Sequence, residues 1–600
     1  MSIRPVFAVM ATVAVATGAA ACGGGSGERS EGTKVRAGIE GLTGASPGEG
    51  RKGGHLTVLA ANDIDTADPG QTYYAFGYVV HYAVNRTLYS YAAGDVAKPR
   101  PDIAQGDPQI SADQRTITVR LKPGIRFAPP INREVTSRDV KYGFERAFSS
   151  HVPSPYASVY FGDIVGAPSK PGPIADIPGI KTPDDHTIVF ELRKPSATFV
   201  AQALAMPIST PVPEDYARPY DAKSPSTYGE YVAFTGPYMI RNDAKGKLVG
   251  HTPDKVIELV RNPNWDPKTD YRPAYLDSIT IQEGNQDTTS AARRVLRGDG
   301  LILGDGSPPA PVVKAALAHD RDQMAFVPGG QYRYISMNSR MAPFDNVNVR
   351  KAVVAASDRT ALRLSRGGAT AGELATHFLP PAFPGFDAAG GEKGSGADFL
   401  AQPRGDLALA RKYMLTAKKQ DPGLPIDGSG TWTGGEPFLM VAANADPARK
   451  TGEVAQAQFE KLGFKIKFRT APLDAVYTKF CGVPATKVAI CPNASFVKDF
   501  YDGQALLDPV FNGKNILPTN NTNWSQLDDP GVNAAIARAA ALPAGRARDR
   551  AWGEVDRMAT AQAPGVPFLW DTIPIVESAN VRGVVNQYAT SWDLSFTSLR

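Results

Sequence analysis

Residues 116–121 alternate between apolar and polar positions. Ile117, Val119 and Leu121 interleave with Thr118 and Arg120, the period-2 pattern of a half-buried strand, and Pro123-Gly124 breaks it with turn chemistry. Thr136 then offers a helix N-cap with Asp139 three residues on, an acidic variant of the capping box. Val140, Phe144, Ala147 and Phe148 follow at helical spacing. The block predicts a strand, a turn, an irregular loop and a capped helix. DHTIVFELRKP at 185–195 echoes RTITVRLKP at 115–123 in its Thr-Ile start, its alternation and its closing Pro, so the two are expected as strands of one small sheet.

The same pattern reading extends along the chain. His55 to Leu59 predicts a short strand, and Val79, Val80, Ala83, Val84 and Leu88 predict a buried helix. A strand is expected over 276–282. After Ser290, RRVLRGDGLILGDGSPPAPVVKAALA reads as helix, strand, turn and helix, the alternation of an α/β lobe. Tyr334 and Ser336 alternate with Ile335 and Met337, and Asp345 is the expected cap of a helix with Val349, Ala352, Val353 and Ala356 on one face. Ala455, Phe459 and Leu462 share a helix face, Gly463 supplies its stop, and Phe464, Ile466 and Phe468 predict the strand that follows. Two helices and a terminal strand close the chain.

The N-terminus changes the picture. One basic residue, Arg4, precedes an apolar run from Val6 to about Ala16, far short of the ~20 residues a membrane-spanning helix needs, so a cleaved export signal is expected. Ala19-Ala20-Ala21-Cys22 resembles a bacterial lipobox, with Ala19 where a larger aliphatic residue is usual, and Cys22 is the expected lipidation site. The alternative is ordinary cleavage after an A-x-A site. Gly23-Gly24-Gly25-Ser26-Gly27 would serve as the tether of an anchored protein. Setting Cys22 aside leaves Cys481 and Cys491, an even pair in an exported chain. They are expected to form a disulfide; a metal site would need more ligands than two Cys without a nearby His.

A formal net charge of +5 from scattered Lys and Arg gives no basic patch, so nucleic acid is not an expected partner. No H-E-x-x-H or G-x-x-x-x-G-K-[ST] motif occurs, the one G-x-S-x-G match, Gly44 to Gly48, falls in the Gly/Ser-rich stretch before the first strand, and the seven His have no metal-ligand spacing. The sequence thus offers no motif-borne catalytic, metal or cofactor site, and an enzyme is not the expected class, although catalytic groups can also assemble in space.

Several blocks resemble the family 5 extracellular solute-binding proteins, the peptide- and nickel-type receptors of bacterial ABC importers. They are TITVRLKPGIRFAPPINREVTSRDVKYGFERAF, TGPYMIRN, VRNPNWDPKTDYRPAYLDSITIQ and GQYRYISMNSRMAPFDNVNVRKAVVAASDR, the last with Asn346 where the family usually has Asp. The resemblance runs from about residue 54 to the C-terminus. It implies an α/β, two-lobe periplasmic-binding-protein-like fold (type II, large peptide-receptor class) with an extra subdomain and a hinge. The implied division is a lipoprotein signal peptide at 1–22, a flexible linker at 23–53, lobe I at 54–85, 228–285 and 565–600, a subdomain of lobe I at 86–227, and lobe II at 286–564. Trp265, within one of these blocks, reads as a packing residue.

The resemblance also points to a site. In CPNASFVKDFYDGQALLDPVFNG, Asp499 takes the position of the Asp that pairs with a peptide's α-ammonium and Phe496 that of a Trp, with Val497 and Tyr501 beside them. Tyr73 and Tyr74 fall where a first strand passes the cleft, as cleft residues or as surface or core aromatics. Gly503 replaces a usual Pro, and Lys498 beside Asp499 could neutralise it, in which case Asp499 would be a capping or salt-bridged residue. The implied function is that of a monomeric receptor, lipid-anchored outside the cell membrane, which captures peptides between its lobes and delivers them to ABC permease subunits. Nickel complexes, oligosaccharides and other amines are the alternative solutes, and a secreted hydrolase is the alternative class.

Overall fold

A computed structural model describes residues 41–600 apart from Ala97 and Asn520. The signal peptide, Cys22 and most of the expected linker lie outside the described residues. Among the described residues, no helix is long and apolar enough to cross a membrane.

Two mixed sheets, each packed with helices, form two lobes. In the first, the strand order is Leu301–Leu303, His55–Leu59, Ser278–Gln282, Val256–Arg261 and Tyr238–Ile240, with the short edge strand His251–Thr252 also pairing with Val256–Arg261. His55–Leu59 runs parallel to both its neighbours, in register His55 to Ser278 and Thr57 to Leu301. The second sheet has the order Gly372–Glu373, Gly565–Val576, Met324–Met337, Ile490–Val497, Phe438–Ala443 and Ile466–Ala471. A four-stranded antiparallel sheet forms the subdomain. There Thr116–Arg120 and Thr187–Glu191 are neighbours, with Thr118 opposite Val189, as their matching patterns predict.

The two long strands Met324–Met337 and Gly565–Val576 pair antiparallel from Met324–Val576 at one end to Ser336–Gly565 at the other. At one end Met324, Phe326 and Val576 pack in a cluster with Leu59, Leu301 and Leu303; at the other, Ile335, Met337, Val566, Phe568 and Leu569 belong to the core of the second lobe. This ribbon therefore ties lobe to lobe. Sheet membership departs from the expected borders at 286 and 565: Leu301–Leu303 lies in the first sheet, and Gly565–Val576 lies in the second before Glu577 bridges back to Ile302. Local pattern marks a strand, but its partners are decided by residues hundreds of positions away.

Local chemistry places the other elements. The helix Ser137–Ala147 begins as expected, with the Thr136 N–H donating to the Asp139 carboxylate at 2.7 Å. The helix Val347–Ala356 is capped by Asn346, whose side chain accepts from the Asn348 N–H at 2.8 Å, and not by Asp345; the helix starts one residue later than the pattern suggested. Gly463 adopts φ +88° after the helix Ala448–Glu460, and a Cβ there would lie 2.3 Å from the Trp432 carbonyl oxygen, so only glycine fits. Trp265 is half-buried against the main core and donates to Asp270 at 2.9 Å.

One buried group of charges forms a fully partnered network. Arg146, at the end of the Ser137–Ala147 helix, donates to both Asp68 oxygens at 2.7 and 2.8 Å and to Asp221 at 2.7 and 2.8 Å, with all three side chains sealed from solvent. Its guanidinium also lies 4.6 Å from the Tyr228 ring centroid. The subdomain helix is thereby fastened to the loop before Tyr73. Arg146→Ala would leave two buried carboxylates unpaired and should cost about 3–5 kcal/mol of stability, read as a lowered midpoint in urea unfolding followed by circular dichroism; an unchanged midpoint would remove the network from the account.

Candidate functional site

The strand Ile490–Val497 lies beside Met324–Met337, with Phe496 opposite Tyr332 and Val497 opposite Gln331, and the Lys498 N–H extends the ladder to the Gly330 carbonyl at 3.1 Å. The chain then leaves the sheet. Residues 498–502 cross to the helix Gly503–Phe511, which Asp502 caps by accepting from the Gln504 N–H at 2.8 Å. This crossing is gripped from the first lobe and its subdomain. Gln202 donates to Asp502 at 3.1 Å, the Tyr501 N–H donates to the Tyr91 hydroxyl at 3.3 Å, and the Tyr588 hydroxyl donates to the Asp499 carbonyl at 3.0 Å.

Asp499 is 7% exposed, and its carboxylate accepts a hydrogen bond from the Tyr160 hydroxyl. Tyr160 stacks on Tyr156 at 5.4 Å, and Tyr156 stacks on Tyr73 at 5.6 Å. Three rings thus lead from the half-exposed Tyr73 down to the carboxylate. Burial pushes Asp499 up to about 6, outweighing the tyrosine donors and Lys498, which favour its ionised form.

Lys498 does not neutralise it by contact. Its Nζ lies 3.5 Å from the Gly329 carbonyl oxygen and 5.1 Å from the Tyr501 ring centroid, and no ion pair joins it to Asp499 among the described residues. Burial pulls Lys498 down to about 7, with the attraction of Asp499 only partly opposing.

A second charged cluster sits further along the same sheet. Asp571, on Gly565–Val576, meets Arg333 Nε at 2.7 Å and accepts from Gln331. Arg366 donates to Asn493 at 2.8 Å, a neutral partner, and burial pulls its guanidinium down to about 9, with Arg333 adding to the effect. Asn493 and Asp499 lie on one continuous segment, so a carboxylate and a guanidinium without a carboxylate partner flank the same stretch of chain.

The expected site residues divide. Tyr73 joins Asp499 through the stacked rings, whereas Tyr74 is 53% exposed with its ring edge-on to Tyr73. The N–H groups of both donate to Asp65, which fixes their loop. Phe496 is half-buried against the core, and Val497, on the alternate face, is 38% exposed. Tyr501 is buried, stacked at 4.8 Å on Phe383, and so belongs to the packing between elements. Cys481 and Cys491 are joined by a disulfide with Cα atoms 6.3 Å apart. Tyr156, Tyr160, Tyr588, Arg366 and Asp571 were not singled out from sequence. None lies in a motif, and Tyr160 meets Asp499 across 339 positions.

The model of the bacterial extracellular solute-binding proteins, family 5 Middle, matches residues 98–516, and the chain belongs to that family. The chain is 24% identical over 483 residues to "Heme-binding protein A" of Haemophilus influenzae, covering 80% of each. It is 24% identical over 376 residues to the "Dipeptide-binding protein" of Escherichia coli, covering 60% of this chain and 62% of that one, so this alignment spans less than two thirds of the relative. Among solved structures, "Clavulanic acid biosynthesis oligopeptide binding protein 2" superposes with a TM-score of 0.80 at 27% identity, covering 93% of this chain and 98% of that one. The fold is that of the two-lobe solute receptors.

The Asp499 environment yields a direct check. Tyr160→Phe removes a donor to the charged form, so the Asp499 pKa should rise further above about 6, by about one unit. A ¹³C NMR titration of carboxyl-labelled protein would read this, and a fall would mean that Tyr160 does not hold the ionised group.

Proposed function

We propose that this protein captures short peptides between its two lobes outside the cell membrane, tethered there by a lipid on Cys22, and delivers them to the permease of an ABC importer. One observation carries the reading: the desolvated carboxylate Asp499 lies just beyond the strand Ile490–Val497, and Asn493 on that strand holds the Arg366 guanidinium, which has no ion-pair partner among the described residues. A peptide has the complementary termini. Its α-ammonium would replace the water lost by Asp499, and its carboxylate would meet Arg366.

The spacing suggests a length. From Asn493, which holds Arg366, to Asp499 is roughly 20 Å of extended chain at about 3.3 Å per residue. The Arg366 side chain takes up part of that, leaving room for a peptide of about three to five residues. Main-chain pairing beside the exposed Val497 would let the receptor accept varied side chains. The names of the relatives, which include dipeptide and oligopeptide receptors, support the same class, and the heme-binding relative marks the alternative of a non-peptide solute.

Two outcomes test this. Native mass spectrometry of the purified protein with di- to penta-peptide pools should show an intact peptide bound. With that peptide in calorimetry, Asp499→Ala should lose about 2–5 kcal/mol of binding. Affinity should also fall as the pH drops through about 6, because Asp499, raised into that range, then takes up a proton and loses the charge that pairs with the ammonium. An affinity unchanged between pH 5 and 8, in wild type and variant alike, would release Asp499 from this role.

A further inference from the structure

Away from the cleft, the first sheet brings together three side chains that sequence spacing conceals. Asp63 lies just beyond the end of His55–Leu59, Glu283 follows Ser278–Gln282, the parallel neighbour of that strand, and His251 sits on the edge strand His251–Thr252. His251 and Asp63 are 188 positions apart, yet His251 Nε2 lies 3.1 Å from an Asp63 carboxylate oxygen. One ligand atom from each of the three residues can be chosen such that all lie within 4.8 Å of one another.

The His251–Asp63 contact alone would be an ordinary hydrogen bond. Glu283 is not explained by it. The residue is 9% exposed, and both its carboxylate oxygens are shut off from solvent with no well-formed hydrogen bond among the described residues, facing the Asp63 carboxylate and the Lys255 backbone. A closed-off carboxylate facing a second carboxylate is doubly unfavourable, through lost hydration and through like-charge repulsion. Asp63, by contrast, is already satisfied by His251 and by the N–H groups of Ile64 at 2.7 Å and Asp254 at 3.3 Å. What the cluster lacks is a positive centre among the three.

We infer that Asp63, His251 and Glu283 form a binding site for one divalent transition-metal ion of the zinc or manganese kind. One imidazole nitrogen and two carboxylates suit such ions, and three protein ligands leave a position for water. The 3.1 Å separation of His251 Nε2 and Asp63 is close to the ~3.3 Å edge of a tetrahedron with bonds of about 2.0–2.1 Å. The ion would fasten the end of His55–Leu59 to the edge of the sheet. The loop leaving that strand is the one whose Asp65 fixes Tyr73 and Tyr74, so the ion would stiffen the route to the cleft without touching the ligand.

The test uses untagged purified protein, equilibrated with zinc chloride, then dialysed and assayed for metal by mass spectrometry, with manganese chloride as a second probe and magnesium chloride as the control. The expected result is one zinc or manganese ion retained per chain, a raised melting temperature in its presence, and at least tenfold weaker retention in Glu283→Gln. His251→Ala, at the partly exposed sheet edge, should show the same loss and carries the comparison should the buried variant fail to fold. Wild type that retains neither metal, or variants that retain it as wild type does, would overturn the site.

Discussion

An ionised carboxylate taken out of water must find donors or a counter-charge, and the packing of distant segments around Asp499 answers that requirement. Tyr160 and Tyr588 come from parts of the chain that have no local connection with residues 496–502, yet both spend their hydroxyls on this one residue, on its carboxylate and its carbonyl. The Tyr160 bond lowers the cost of burying the carboxylate without removing it, since the group remains raised to about 6, while Tyr588 holds the backbone of the same residue. Under the proposed function a ligand cation would supply the missing counter-charge, so closing and binding would become favourable together.

The scaffold makes such a junction affordable. The paired strands Met324–Met337 and Gly565–Val576 run from one lobe's core into the other's, their ladder shifting register between Pro328 and Tyr332, so the lobes share a paired ribbon that other contacts supplement. The subdomain supplies some of those contacts. Tyr156, Tyr160 and Gln202 reach the 498–502 crossing, and Arg146 holds the subdomain to the first lobe through two carboxylates. Buried ion pairs of this sort add little net stability against an apolar alternative, but they tolerate only one geometry, and a site assembled from three bodies depends on geometry.

Much of the fold was legible because local pattern and tertiary structure agree. The alternation in 116–121 and 187–192 yields neighbouring strands, the Thr136–Asp139 box starts its helix, and Gly463 ends another where no side chain would fit. The helix before Asp358 starts one residue later than expected because Asn346, not Asp345, can reach an N–H two residues ahead. Strand partners were not legible, since Leu301–Leu303 and Gly565–Val576 join sheets chosen by long-range pairing. The site shows the same division. The resemblance points to Asp499 and Tyr73, which the structure links through Tyr156 and Tyr160, but Tyr160, Tyr588 and Arg366 carry no periodicity, motif or spacing, and their positions exist only once distant segments have packed.

The relation of Lys498 to Asp499 shows why sequence adjacency misleads about charge. Two opposite charges side by side read as a pair that cancels, but neighbouring residues of an extended chain project in opposite directions. Lys498 extends the ladder through its N–H to Gly330 and turns its ammonium toward Gly329 and the Tyr501 ring, while Asp499 turns toward Tyr160. Gly330, at φ +56°, leaves the space the lysine stem occupies, for a Cβ there would lie 2.6 Å from Lys498 Cδ. The lysine is thereby stored in a pocket where burial pulls it down to about 7, close enough to favour the ionised carboxylate but too far to quench it. Under the proposed function, an arriving ammonium would meet a carboxylate that is desolvated and has no ion-pair partner among the described residues.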